Sequence, residues 1–541
     1  MAAMLPPTLM VYVAVGTAFV STALRRRIRR RFSKTPPQRV KVGLEVAMND
    51  KWKVLRGVRR QKVGILTNHT GCNPVSGTHL VDILHEARDV NVIAVFAPEH
   101  GFRGAQQAGK SDGTTFADPK TGIHVFDIYK KSGLSLSNII QASDVDVIVV
   151  DLQDVGTRCY TYIWSMYDLF LAVAILKIET KRNVRVVVLD RPNPLGGVVT
   201  EGPVNVDDAR CSFVALKSIP LRHGLTLGEL ALVFNRVFLR NDVDNPSRDA
   251  INLKVVKMKH WRRSMKWENT HLPWTPPSPN MPSPTTALSY VGNCLLEATN
   301  VSEGRGTCTP FEVIGTHWAD AKFVQELNNK DILRVSRRKI KKHTARKSAP
   351  SSHKQTVWRE ANFVPSWGAH MGRMCVGVHA FVKDQNCALF KDGVKILLTL
   401  KTLYPRDFSW REGFISIGAN ARPSRQSSRV DRGSNRASVL VSPVKPGGSY
   451  ARSRDKEERL CGNGKGFENG SSNTFGNFIS NPATSPPFID LLTGSNALRL
   501  ALDSYGGDFG KTTKAVEGVF VEWEKQLGAF EKVRRGAFLY S

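Results

Sequence analysis

Between residues 43 and 240, apolar positions follow two alternating rhythms. Short unbroken runs occur at 62–66 (KVGIL), 92–96 (VIAVF), 145–150 (VDVIVV) and 184–189 (VRVVVL). Between and after them, around 81–85, 163–176 and 225–238, the apolar residues take helical spacing. A β-branched run that is apolar at nearly every position suits a strand buried on both faces, as in a parallel sheet. Strands alternating with helices predict an α/β fold, a Rossmann-like, mainly parallel sheet over residues 43–245. From 246 to 410 the pattern loosens. Residues 253–258 and 375–382 read as strands, and 270–284 carries too much proline for regular structure. This part is expected to form a smaller α+β domain. Amphipathic spacing returns at 488–502 and 512–530, which predicts C-terminal helices within 484–541 packing on the second domain.

Two stretches lack either rhythm. Residues 331–357 read as a basic, serine-rich insertion in the second domain. Residues 411–483 are dominated by Ser, Arg, Gly and Asn, and are expected to be disordered because so few apolar groups cannot offset the entropy of ordering. Charge belongs to the same picture. The 541 residues carry a net charge of +30, but it is unevenly spread. Residues 25–41 and 334–354 each hold nine Lys/Arg and no acid, and 411–465 holds twelve against five acids. A nucleic-acid footprint would lie as a patch on the folded surface, so no nucleic-acid partner is expected.

The N-terminal 42 residues read as a hydrophobic anchor and basic linker. Residues 5–24 are uncharged and long enough to cross a bilayer, and Arg25, Arg26, Arg27, Arg29, Arg30 and Arg31 come directly after. A cleavable signal peptide carries its positive charge before the apolar run, not after it. The expectation is a single-pass membrane anchor with the catalytic body in the cytosol. An organelle-targeted or secreted protein is the alternative. The eight cysteines form no C-x-x-C pair, which fits neither a zinc site nor a dense disulfide framework.

In an open α/β sheet, ligands bind outside the carboxyl ends of the strands. The residues just after each predicted strand are therefore informative. The four ends carry Thr67-Asn68-His69-Thr70-Gly71, then Pro98-Glu99-His100-Gly101-Phe102-Arg103-Gly104, then Asp151-Leu152-Gln153-Asp154 running on to Tyr162, and Asp190-Arg191-Pro192-Asn193. Carboxylates, amides, guanidinium groups and tyrosines converging on one edge form the kit that glycoside hydrolysis needs. Acyl transfer fits worse, because no G-x-S-x-G elbow is present. No Walker loop or dinucleotide fingerprint comes after the first strand, so no cofactor is expected. His69, His100 and His223 lack metal-ligand spacing, and no metal is expected. Asp151, Asp154 and Asp190 have a plainer reading as structural ion pairs with Arg158 or Arg191. Thr226-Leu227-Gly228-Glu229 reads as a capping box rather than a site.

Nine motifs in order carry a family resemblance: TNHTG (67–71), PEHGFRG (98–104), DPKTG (118–122), DLQDVGTRCYTY (151–162), LDRPNPLGG (189–197), EGPV (201–204), PLRHGLTLGEL (220–230), PPSPNMP (276–282) and SEGRGT (302–307). Together they resemble the exo-lytic β-N-acetylmuramidases of the NamZ or YbbC-like family. The resemblance covers about residues 43–410 and resumes near 488–541. It implies a Rossmann-like domain, a smaller C-terminal domain, and a cleft between them that releases N-acetylmuramic acid, or a related amino sugar, from the non-reducing ends of peptidoglycan fragments. Carried onto this sequence, it implies Glu99 as the catalytic carboxylate, with His100 and Asp154 beside it. It implies Asn68, Arg103, Asp151, Gln153, Arg158, Tyr160, Asn193 and His223 as substrate-binding residues of the first domain. Asn280, Glu303 and Arg305 would reach in from the second. The competing expectation is a catalytically silent amino-sugar or wall-fragment binding protein tethered to a membrane.

Overall fold

The computed structural model describes residues 38–56, 61–87, 89–106, 115–243, 249–329, 356–412 and 486–541. The segment 5–24, most of 331–357 and nearly all of 411–483 lie outside them, as do the expectations of an anchor and of disorder. Among the described residues no helix is long and apolar enough to cross a membrane.

Seven strands form the larger sheet: β1 (Lys62–Thr67), β2 (Asn91–Ala97), β3 (Thr115–Ala117), β4 (His124–Asp127), β5 (Val147–Asp151), β6 (Arg185–Leu189) and β7 (Leu253–Val256). Their order is β3-β4-β2-β1-β5-β6-β7. Every pairing is parallel except that of β3 with β4. At the centre Ile65 pairs with Val95 on one side and Val149 on the other, and all three are fully buried. Helices cover both faces, which is why these strands tolerate no polar alternation. On one face α1 (Gly43–Asn49) and α2 (Leu80–Glu86) pack with Met258, Trp261, Trp267 and Leu272. On the other lie α3 (Gly133–Ser143), the nineteen-residue α4 (Tyr162–Thr180) and α5 (Leu227–Val233).

The second lobe holds the antiparallel sheet β8 (Val313–Thr316), β10 (Cys375–Val382) and β9 (Thr356–Phe363), in that order. It packs against α6 (Pro284–Asn293), α7 (Ala321–Asn329) and α8 (Leu389–Leu403). Its core contains Leu296, Phe323, Val378, Phe390 and Leu397, and also Val155, Cys159, Leu195 and Leu221 from loops of the first lobe. Loops of the first lobe therefore contribute directly to the core of the second.

Three expectations need correction. The strand at 253–258 belongs to the first sheet, where Val188 pairs with Val255, so the first lobe runs past residue 245. The helix expected at 488–502 is two, α9 (Phe488–Thr493) and α10 (Ala497–Asp503), broken where Gly494 takes φ +76°. The last helix, α11 (Phe509–Arg535), does not pack on the second lobe alone. Val516 and Trp523 join that lobe's core, while Leu527 and Phe530 join the first.

The residues after α11 turn back onto the first lobe. Tyr540 Oη donates to Asp190 Oδ2 at 2.6 Å, and Leu539 N donates to Glu229 Oε1 at 2.9 Å. Glu229 does close the capping box with Thr226, and it does more. Fully buried, it also pairs with Arg263 at 2.7 Å. Removing one member of a buried pair leaves the other charge uncompensated, at a cost of roughly 3–5 kcal/mol, well above that of a lost cap. Glu229→Gln is expected to lower unfolding free energy in urea by several kcal/mol. A loss under about 1 kcal/mol would contradict this reading.

Candidate active site

Because β4, β2, β1, β5 and β6 are parallel, their carboxyl ends open onto one edge. Glu99 follows β2 by two residues. Its Oε1 accepts from Tyr129 Oη at 3.0 Å and its Oε2 from Thr161 Oγ1 at 2.6 Å. Tyr129 stands two residues after β4, and Thr161 is the N-cap of α4. Three elements thus fix one buried carboxylate, and the positive end of a long helix faces it. His100 takes φ +71° and Gly101 +75°, a turn rarely available to side-chain-bearing residues. His100 Nδ1 is tied to Gln106 O at 3.0 Å, and its ring meets Tyr162 edge-on.

Asp154 is built differently. Its Oδ2 accepts from Gly156 N at 2.7 Å and lies 3.2 Å from His223 Nε2. His223 Nδ1 accepts from Leu225 N, which assigns the imidazole proton to Nε2, pointing at Asp154. Asp154 Oδ1 is buried and has no hydrogen-bond partner among the described residues. The Gly156 turn is obligatory: φ is +84°, and a Cβ there would stand 2.4 Å from Asn193 Oδ1.

Tyr160 lies between these groups. Burial pushes its phenol far up; the charges of Glu99 and Asp154 add to this and the charge of Arg305 opposes it, while the buried hydroxyl has no hydrogen-bond partner among the described residues. One hydroxyl therefore feels both first-lobe carboxylates and a second-lobe guanidinium. Aromatic contacts continue the line: Tyr160 meets Tyr162 at 5.2 Å and Tyr290 at 6.2 Å, and Tyr290 meets Phe311 at 4.7 Å. Arg305 lies over Phe311 and pairs with Glu297 and Glu303. The 276–282 loop, which holds the buried Asn280, closes the seam. Pro276 O bonds His69 Nε2 at 2.7 Å, and Pro277 O accepts from Tyr162 Oη at 2.6 Å.

Several residues that the sequence offered for substrate contact are spent inside the protein. Asp151 is fully buried in a two-point ion pair with Arg191. Arg158, also fully buried, donates to the carbonyls of Pro203, Val204, Ile219 and Leu492, and burial lowers its pKa to about 10. Asn193 braces Leu195 N and Leu225 O, whereas Asn68 is only half committed: Oδ1 accepts from Thr70 N and Oγ1, and the buried Nδ2 has no hydrogen-bond partner among the described residues. Gln153 Nε2 donates to Asp154 O and Pro192 O. Arg103 is bound by Asp82 and Asp118. His223 is fully buried, with Nε2 3.2 Å from Asp154 Oδ2. Asp190, expected in an ion pair, instead accepts from Thr226 Oγ1, Gly228 N and Tyr540, and burial pushes its pKa up to about 7. Among the described residues no cluster of three His, Cys, Asp or Glu side chains is arranged to hold a metal.

Sequence reasoning missed Tyr129 and Thr161. Thr161 sits inside the DLQDVGTRCYTY motif, between two tyrosines whose rings suggest sugar contact more readily. Tyr129 stands just beyond a four-residue strand, HVFD, too short and too mixed to stand out.

Comparison with known proteins gives a consistent result. The family model described as exo-β-N-acetylmuramidase NamZ, N-terminal, matches residues 63–285, and its C-terminal counterpart matches 288–436. The peptidoglycan β-N-acetylmuramidase NamZ of Bacillus subtilis (strain 168) is 36% identical over 423 residues, covering 77% of this chain and 91% of that protein. Two crystal structures of DUF1343 family proteins from Bacteroides fragilis share the fold. One has a TM-score of 0.61 at 25% identity, the other 0.55 at 24%, and each match covers 93% of this chain and 99% of the other.

The two hydroxyls on Glu99 generate a prediction. Thr161 makes no side-chain cap bond, so Thr161→Val removes a donor and leaves the start of α4 intact. Thr161→Val and Tyr129→Phe are each expected to lower turnover of a chromogenic muramic acid glycoside about tenfold, with little change in KM. Wild-type turnover in both variants would mean that these hydroxyls do not orient the carboxylate.

Proposed function

The chain belongs to the exo-β-N-acetylmuramidase NamZ family, and from that premise we propose that it is a glycoside hydrolase acting on peptidoglycan fragments. It removes N-acetylmuramic acid from their non-reducing ends. The observation that carries the reading is the holding of Glu99 by hydroxyls from two other elements, at the carboxyl edge of the sheet and beside Tyr160.

Hydrolysis of a glycoside requires an acid that protonates the departing oxygen and a carboxylate that assists attack at the anomeric carbon. Glu99 and Asp154 are the pair we assign to this work. Glu99 is oriented through both oxygens. Asp154 is anchored through Oδ2 and keeps Oδ1 for the reacting partner. Tyr160 offers a half-buried ring between them for a sugar face. The proton given to the leaving oxygen is recovered from the attacking water, so the pair returns to its starting state after each turnover. His223 serves as a positioning residue for Asp154, and Arg305 brings the second lobe's charge to the same place.

Fixing a reacting group contributes several kcal/mol to lowering a barrier, and proton transfer by a placed side chain adds about a hundred- to ten-thousand-fold. Glu99→Gln keeps shape but cannot serve as the carboxylate. It is expected to lose at least about a hundredfold in kcat while still binding muramic acid glycosides and melting near wild type. Retention of wild-type kcat by Glu99→Gln would remove Glu99 from the chemistry.

A further inference from the structure

A reaction at the non-reducing end admits only the terminal muramic acid to the reacting groups. The sugar that follows, N-acetylglucosamine, carries the departing oxygen and leaves the cleft at its rim. Its ring substituents are equatorial, so the ring faces present C–H groups. The electron-rich face of an aromatic side chain matches such a surface. A platform for this sugar has to be aromatic, exposed, rigidly held and joined to the site.

The loop 364–374, between β9 and β10, meets these conditions. Among the described residues it gathers four large apolar side chains that remain in solvent: Val364, Trp367, Met371 and Met374. Trp367 is 42% exposed, and the two methionines are 64% and 60% exposed. Exposed apolar groups crowded in one place mark a contact surface, and Trp, Met and Arg are residues that such surfaces favour. The loop is not slack. Gly372 N donates to Pro365 O at 2.9 Å, Arg373 N to His370 O at 3.0 Å, and Met371 N to Gly368 O at 3.3 Å. The Arg373 side chain donates to Nε2 of His317, the residue just past β8, at 3.3 Å. The base of the loop is fastened to the SEGRGT loop: Ser366 N and Oγ both donate to Gly306 O, at 2.9 and 2.8 Å. The approach is so close that a Cβ on Gly306 would stand 2.4 Å from Trp367 O. Gly306 directly follows Arg305, whose charge acts on Tyr160. Trp367 is thus tied, through two touching backbone segments, to the guanidinium that the second lobe brings to the cleft.

We propose that Trp367 is the platform for the leaving-group sugar, its indole stacking on the N-acetylglucosamine next to the terminal muramic acid. The proposal rests on the glycosidase reading for its substrate and is tested by binding rather than turnover. Calorimetric titration of the full chain with N-acetylmuramic acid, and with an uncleavable sulfur-linked disaccharide of N-acetylmuramic acid and N-acetylglucosamine, measures the gain in Kd supplied by the second sugar. Wild type is expected to bind the disaccharide about tenfold more tightly, the upper range of one aromatic contact. Trp367→Ala should bring that ratio close to one, and Trp367→Phe should keep most of it. Trp367→Gln supplies the same readout if alanine disturbs the loop. A wild-type ratio near one overturns the proposal, as does a ratio unchanged in folded Trp367→Ala and Trp367→Gln, which is what an equal loss on both ligands gives. Failure of wild type to bind either sugar overturns it together with the substrate reading. A wild type that shows the ratio, loses it in Trp367→Ala and leaves the oxygen-linked disaccharide uncleaved defeats the glycosidase reading and upholds the platform.

Discussion

A parallel sheet covered on both faces leaves the polar groups at its carboxyl edge with few partners but each other. That constraint organises this protein. An unpaired buried carboxylate costs far more than a single hydrogen bond returns. Each acid at the edge has therefore acquired its own support. Asp151 has Arg191, and Asp190 has the start of α5 and the hydroxyl of Tyr540. Asp154 has His223 and Gly156 N, and Glu99 has Tyr129 and Thr161. The pairing of Asp151 and the cage around Asp190 satisfy both carboxylate oxygens with buried protein groups. In Asp154, one oxygen is left without a hydrogen-bond partner among the described residues, and this asymmetry is the reason we propose it for chemistry.

The same constraint explains why the lobes cannot be separated. Loops from the strand ends bring Val155, Cys159 and Leu195 into the core of the second lobe. The last helix in turn packs on both cores, and the final residues bind Asp190 and Glu229 beneath the site. Leu539 and Tyr540 thereby complete a buried polar network with Glu229 and Asp190. Tyr160 occupies the seam, where the charges of both lobes act on one phenol.

Much of the first sheet was legible in the sequence, because β1, β2, β5 and β6 are apolar at nearly every position and end in polar clusters. The strand at 253–256 was legible as a strand but not as a member of that sheet, since pairing with β6 across more than sixty intervening residues leaves no local trace. At the site, chemistry was legible and direction was not. A guanidinium aimed at a ligand and one aimed at carbonyls have the same spelling, so Arg158 looked like a contact and is held by carbonyls, whereas the ion pair of Asp151 with Arg191 was among the readings the sequence allowed. The converse error concerns Tyr129. It comes after a strand of four residues whose half-polar pattern gives no period to read, although the Asp127-Ile128-Tyr129 run is a fifth strand end of the same kind.

At the centre stands the claim that this edge removes muramic acid residues from one end of a glycan. Incubating the full chain with defined peptidoglycan oligosaccharides that begin with N-acetylmuramic acid, and tracking the products by mass spectrometry, tests it most directly. Free N-acetylmuramic acid is expected as the first product, with each fragment shortened by that one sugar and N-acetylglucosamine left at the new non-reducing end. Fragments that remain intact, or that first lose N-acetylglucosamine or split internally, would contradict it.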